Sequence, residues 1–444
     1  MALEYLAPEL LSTILQNIDS PHTLHNLISA SPACLRVFNQ TSQLVLSGLI
    51  HKILPCINER HILALLQTPT PATRTGVSSF LNNYFDISSS FDFPTSREEL
   101  VNVLKLYNRV TFLINGYLNH VKKLGFSDSI LSPTRSEIAR LQRAFLRYGL
   151  YSRVFPADDT LPWENPSPNH SFSAEKQFDL FISHLKPWEC EEIVCVEQYF
   201  SILIGDFVDE LEKQLAEAVK TLVAYKTPTS EDDSKGGSGD DNVKDNLWRF
   251  DALHLTSLSM FSLDYRYRIH RNISYMASLR LDFMYDLIRS DQDERSRLIR
   301  SNSPNIRASL EDALQNSPPS DRNEEDEESD WEDDPCCNNL GWPRFRPRDE
   351  CQYLGIDTWG YHMLPLRELG YVFWDSTRLK SIAVCDKLFA AQKMPSEKRK
   401  KRFDRRDKET LEHRFKGAMI PRSEMRRLEN EFGYIKRPIE EELE

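Results

Sequence analysis

The sequence predicts a mainly α-helical protein, and three observations carry that expectation. Apolar residues recur at spacings of three and four over most of the chain, helix-start signals stand ahead of those stretches, and convincing alternating strands are missing, Tyr371 to Trp374 being the nearest candidate. The 444 residues also exceed the roughly 250–300 at which a single core stops growing, so two or more packed units are expected. The order anticipated is an N-terminal three-helix module at 1–50, a helical body at 51–228, a flexible acidic linker at 229–245 and a helical segment at 246–300. A disordered acidic linker at 301–338, an aromatic-rich segment packing on the body at 339–392 and a basic helical tail at 393–444 complete it.

The N-terminal module rests on three helix starts of one design: Ala7-Pro8-Glu9, Ser20-Pro21-His22 and Ser31-Pro32-Ala33. Proline suits the first helical position because the N–H it lacks has no partner there, and Ser20 and Ser31 are placed to accept the orphan amides. Three helices of about ten residues are expected to follow. On the first, Leu10, Leu11, Ile14 and Leu15 span a wider arc than one neighbouring helix covers, which predicts that part of this face meets a partner.

The segment LAPELLSTILQNIDSPHTLHNLISASPACLRVF resembles the F-box, with a Leu-Pro-x-Glu-like opening, a paired apolar step and a short helix ending in a bend. It is most similar to the F-box-like modules at the N-termini of many fungal proteins. The likeness covers about 40 residues, and the family's usual proline falls on Ala7, with Pro8 one place later. The resemblance implies docking to a Skp-type adaptor of cullin-RING ubiquitin ligases through Leu6, Pro8, Leu10, Leu11, Ile14 and Leu15, with the rest of the chain holding a target protein for ubiquitin transfer. The alternative is a helical scaffold whose module packs on its own chain and has no ligase role.

In the body, Thr95 with Glu98 reads as a capping box, Ser132 followed by Pro133 as the next helix start, and Ser173 as the cap of a helix that Pro187 stops. Ile193, Val196, Phe200, Leu203, Phe207, Leu211, Leu215, Ala218, Leu222 and Tyr225 then mark one long amphipathic helix of roughly 50 Å at ~1.5 Å per residue. Its Phe and Tyr content fits packing within a domain better than a coiled-coil dimer. Cys190 and Cys195 are expected on different sides of it. A further helical pattern covers 250–289.

The charge of −12 is local: residues 321–334 hold ten acids and one Arg, and residues 231–245 hold six acids and two Lys, leaving the remainder near neutral. Those two runs cannot bury enough apolar surface to offset their ordering entropy. Between 339 and 391, Trp342, Phe345, Tyr353, Trp359, Tyr361, Tyr371, Phe373, Trp374 and Phe389 read as core more than as surface, and Asp375 is expected to cap a helix carrying Leu379, Ile382, Leu388 and Phe389. The phrase RELGYVFWDSTRL resembles one in the C-terminal part of fungal proteins with this architecture. The basic cluster Lys398, Arg399, Lys400, Lys401 and Arg402 is a candidate nuclear-import signal; a single interleaved aromatic, Phe403, argues against nucleic acid.

No catalytic, cofactor or metal site is legible. Adjacent Cys336-Cys337 with Cys351 and His362 lacks the C-x₂₋₄-C spacing that sets two thiolates at tetrahedral angles, and Gly236-Gly237-Ser238-Gly239 sits among acids instead of between a strand and a helix. No G-x-S-x-G or H-E-x-x-H occurs, and Asp206, Asp209 and Glu210 fit the polar face of a helix. Scattered cysteines, the lack of a basic-then-apolar leader after Met1 and the lack of an apolar run of 18 residues predict reduced thiols, no membrane partner and a cytoplasmic and/or nuclear location.

Overall fold

The computed structural model describes residues 3–54, 56–70, 73–126, 132–156, 172–225, 273, 275–302, 310–315, 341–345 and 363–393. Every regular element among them is helical, and none is a strand. The chain divides into one unit of residues 1–199, 278–286 and 307–394 and a second of 200–277, 287–306 and 395–444.

In the first unit, α1 (Pro8–Asn17), α2 (Pro21–Ala30) and α3 (Pro32–Ile53) start where the prolines stand, with Ser20 accepting from the Thr23 amide and Ser31 from the Cys34 amide. Both α1 and α2 pack on α3. The third helix runs to 22 residues, about twice the expected length, because a local departure at Thr41 (φ −119°, ψ 18°) bends it without ending it. Its second half thereby carries Val45, Leu46, Leu49 and Ile50 into the core, and α3 packs on α6.

Next come α4 (Cys56–Leu66), α5 (Arg74–Phe85), α6 (Arg97–Lys123) and α7 (Arg135–Val154). The expected cap at Thr95 is instead Ser96, whose hydroxyl and the Glu99 carboxylate form the reciprocal box; at α7 the pair is Thr134 and Glu137, not Ser132. Arg60 on α4 donates to the carbonyls of Asn83, Tyr84, Asp86 and Ser89, closing the C-terminal end of α5 with a cation where the helix dipole favours one. Helix α7 is central: residues 139–152 are all buried, although the stretch contains Arg140, Arg143 and Arg147.

Ser173 caps α8 (Ala174–Leu180) as expected, and Phe178, Phe181, Ile182 and Leu185 are buried. Pro187 does not stop this helix. It is the first residue of α9 (Pro187–Tyr225), where its missing N–H costs nothing. Cys190 and Cys195 are both buried, because this end of α9 is enclosed around its circumference. Tyr371 to Phe373, the nearest strand candidate, forms a single 3₁₀ turn behind Gly370.

Helix α10 (Leu281–Arg289) begins in this unit, where Phe112 meets Tyr285 edge-on. Residues 310–315, expected in a disordered linker, form α12 on α8 with Leu310, Ala313 and Leu314 buried; three apolar residues per turn-and-a-half suffice to dock a short helix. The aromatic segment contributes α13 (Gly341–Phe345), α14 (Leu364–Glu368), α15 (Ser376–Leu379) and α16 (Ile382–Gln392). Phe345, Tyr371, Phe373 and Trp374 are fully buried, in agreement with a core role. Asp375 caps only α15, through the Arg378 amide, and Ile382 is 78% exposed rather than inward.

The second unit contains the rest of α9 and α11 (Gln292–Ser301). Phe200, Ile204 and Val208 on α9 are buried there, while Leu203 and Phe207 are half-buried, and the Arg295 guanidinium lies 4.2 Å from the Phe207 ring centroid. The expectations for residues 229–245, for the acid run at 317–335 and for the tail beyond 393 lie outside the described residues.

Candidate interaction site

The N-terminal module divides its apolar side chains between inside and outside. Ala7 holds an extended backbone (φ −60°, ψ 144°) with no side-chain cap, and Pro8 opens α1. At the other end Lys52 Nζ donates to the Gln16 carbonyl at 2.5 Å, closing the last turn. Leu11 and Leu15 are 2% and 1% exposed, in the core where α1 packs on α3, whereas Leu10 and Ile14, one turn apart, are 55% and 36% exposed. Pro8 is exposed, Leu6 is half-buried, and Tyr5 in the preceding 3₁₀ turn is 85% exposed. Of the six positions assigned to adaptor contact, Leu11 and Leu15 are therefore unavailable to a partner in this fold. Packing α1 against α3 consumes that half of the wide arc, and Pro8, Leu10 and Ile14 are what remains.

The other concentrated chemistry lies inside the first unit. Arg140, Arg143 and Arg147 stand at i, i+3 and i+7 on α7, one above another. Arg143 meets Glu192 of α9 through two parallel bonds of 2.7 and 3.0 Å, and Arg147 Nη1 reaches Glu189 Oε1 at 2.6 Å. Arg367 of α14 takes Glu191 in the same two-pronged way, at 2.8 and 3.0 Å. Arg378 of α15 holds Glu137 of α7 at 2.6 and 2.8 Å. The guanidinium of Arg140 donates twice to the Phe373 carbonyl, at 2.8 and 3.0 Å. Asp375 accepts from the hydroxyls of Thr134 (2.6 Å) and Ser136 (3.2 Å).

Removing these charges from water is expensive, and only near-ideal pairing and added hydrogen bonds compensate it. Burial opposes the charge on Arg367, yet Glu191 holds its pKa above the ordinary guanidinium value. Burial likewise pushes the Glu189 carboxyl up, and the Arg147 and Arg143 guanidiniums pull it below the usual range. Arg140, with a carbonyl as its direct acceptor, is lowered by burial. The Cys190 and Cys195 thiols are pushed well up by burial, away from the thiolate form that nucleophiles and metal ligands need. Glu137, Glu191 and Glu192, each engaged by a guanidinium on both oxygens, hold chain segments together.

A second buried polar group is His61 on α4. Its Nδ1 lies 2.9 Å from the Tyr84 hydroxyl of α5, and burial, with Arg147, Arg143 and Arg60 around it, holds its pKa well below the ordinary value.

Sequence reasoning missed the lattice. Its signals were Arg at three- and four-residue spacing on α7 and three glutamates in the first turn and a half of α9, both of which ordinarily read as solvated faces. The phrase RELGYVFWDSTRL supplies Arg367, Asp375 and Arg378 to it. Lys398 to Arg402 and the cysteine-histidine set at 336, 337, 351 and 362 lie outside the described residues. Among the described residues no group of three or more His, Cys, Asp or Glu is arranged to hold a metal ion, and no helix is long and apolar enough to cross a membrane. No family model matches the chain, and neither a curated protein nor a solved structure is detectably similar to it.

Proposed function

We propose that the chain is a protein-interaction protein, a substrate receptor whose N-terminal F-box-like module docks a Skp-type adaptor of a cullin-RING ubiquitin ligase and whose helical remainder holds a target protein. The observation that carries this reading is the outward pair Leu10 and Ile14 behind an exposed Pro8, apolar side chains left in water although Leu11 and Leu15 of the same helix are buried. It rests together with the sequence resemblance of residues 6–38. The contact is narrower than the resemblance alone implies: Pro8, Leu10 and Ile14, with Leu6 at the edge.

A second reading has one observation in its favour. Leu11 and Leu15, half of the resemblance's docking positions, are spent on packing within the chain, as a module with no ligase role would spend them. Affinity purification from native cells separates the two. The receptor reading expects adaptor and cullin to co-purify with the wild type and to be lost with Leu10→Asp/Ile14→Asp; a wild type that retrieves neither leaves the scaffold reading. The basic run Lys398 to Arg402 is proposed to direct nuclear import, so neutralising it shifts the protein toward the cytoplasm under microscopy.

A further inference from the structure

We infer that α6, α7 and the first part of α9 form a binding site for residues 363–393 as a discrete peptide, so that the first unit persists as a two-piece protein when the chain is cut on either side of that segment. The inference does not depend on the adaptor reading.

Three features of the segment support it. First, its anchors are made to residues more than 170 positions away: Arg367 to Glu191, Arg378 to Glu137, Arg140 to the Phe373 carbonyl, and the Tyr117 hydroxyl to the Arg367 carbonyl at 3.4 Å. Secondly, it makes contacts within itself as well as with the body. Gly370 adopts φ +66°, the Trp374 indole donates to the Leu369 carbonyl at 2.7 Å, and the Arg378 guanidinium stacks 4.7 Å from the Trp374 ring centroid. Such local contacts favour the bent conformation and so reduce the conformational entropy lost on docking. Thirdly, the site selects by charge and shape together. Two forked guanidiniums must meet two buried carboxylates, and leaving either carboxylate unpaired in the interior is strongly unfavourable.

The shape constraint is tight at Gly370, where a Cβ would stand 2.6 Å from the Tyr117 hydroxyl oxygen. The inferred occupant is thus a bent aromatic peptide with two arginines eleven positions apart, and the chain carries it in RELGYVFWDSTRL.

The test uses the full chain with two engineered protease sites, one between 325 and 330 and one between 396 and 399. After complete cleavage, the released piece is expected to co-elute with the remainder on gel filtration, and to do so in 1 M salt, because buried pairs are screened far less than exposed ones. A piece that elutes alone overturns the inference. The Kd for rebinding of the piece should rise roughly 100-fold or more for Arg378→Gln, which leaves the body unaltered and Glu137 unpaired. Ile382→Ser, at an exposed position of the same piece, should leave it unchanged. Charge selection is read from a cycle of Arg367→Gln and Glu191→Gln, in which the double variant loses much less than the sum of the singles. Additive losses, or full-strength rebinding by Arg378→Gln, show that apolar packing alone holds the piece and overturn the selection by charge.

Discussion

The N-terminal module and the centre of the first unit handle their side chains in opposite ways. In the module, apolar residues stand outside: Leu10 and Ile14 face water one turn from Leu11 and Leu15, which do not. Around α7, charged residues stand inside, and four arginine–glutamate pairs, Arg143–Glu192, Arg147–Glu189, Arg367–Glu191 and Arg378–Glu137, link elements distant in sequence. Under the proposed function the exposed apolar pair is the area a partner would cover, whereas the buried ion pairs join segments of the same chain. The observed contrast is one of placement: α1 leaves Leu10 and Ile14 exposed, while α7 and α9 bury their charges in pairs.

The contrast breaks most visibly where the module's inner face is charged. Leu11→Asp/Leu15→Asp places two unpaired carboxylates in the core between α1 and α3, at a cost of several kcal/mol each, on the order of 3 or more. Loss of cooperative unfolding of the module by circular dichroism and hydrogen exchange is the expected outcome; retention of native stability contradicts the burial of those residues.

Breaking one pair of the lattice comes next. Arg378→Ala leaves Glu137 buried without its guanidinium and is expected to cost about 3–5 kcal/mol in urea unfolding of the full chain. Replacing both Arg378 and Glu137 by Met should recover much of that, since the pair costs desolvation that two apolar side chains do not.

Gly370→Ala probes the same segment through the backbone. A left-handed conformation costs a residue with a Cβ ~1–2 kcal/mol, and here that atom also meets the Tyr117 hydroxyl. A destabilisation of at least this size is expected, with the module's own exchange protection unchanged.

The smallest effect concerns pH. His61 is buried and its pKa lies below the ordinary 6.5, so the unfolded chain binds more protons than the folded one as pH falls below about 6.5. The contribution of His61 to stability is therefore full above that pH and declines as pH falls below it. The groups facing His61 are Tyr84 and the guanidiniums of Arg147, Arg143 and Arg60. His61→Phe should flatten the stability profile between pH 7 and 5 relative to the wild type. An unchanged slope assigns the acid sensitivity elsewhere.

How much of this was legible in the sequence differs between the two regions. Fold class and the proline-led starts of α1, α2 and α3 were readable because apolar spacing and the missing proline N–H act locally. Caps slipped by one or two residues where Thr95 stands beside Ser96 and Ser132 two before Thr134, since neighbouring hydroxyls compete for one role. Pro187 was ambiguous for the same reason that makes it useful, as proline ends one helix and begins the next equally well. Which of Leu10, Leu11, Ile14 and Leu15 faces out depends on where α3 lies, and that is a tertiary fact. The lattice was hidden altogether: Arg140, Arg143 and Arg147 look like a solvated stripe until Glu189, Glu192 and the Phe373 carbonyl arrive from elsewhere in the chain. The helix inside residues 310–315 was obscured by the charged composition around it.

The proposal is that α1 docks a partner through its outer residues, Leu10 and Ile14, while its inner ones, Leu11 and Leu15, pack in the fold. Its most direct test is the affinity of the purified full chain for a purified Skp-type adaptor, by calorimetry, for the wild type and for Leu10→Asp/Ile14→Asp. The account predicts measurable binding by the wild type, a loss of at least about 2 kcal/mol in the variant, as expected for anchors at the centre of a small interface, and an unfolding midpoint the same for both. Equal affinity of the two proteins, or no binding by either, would contradict it.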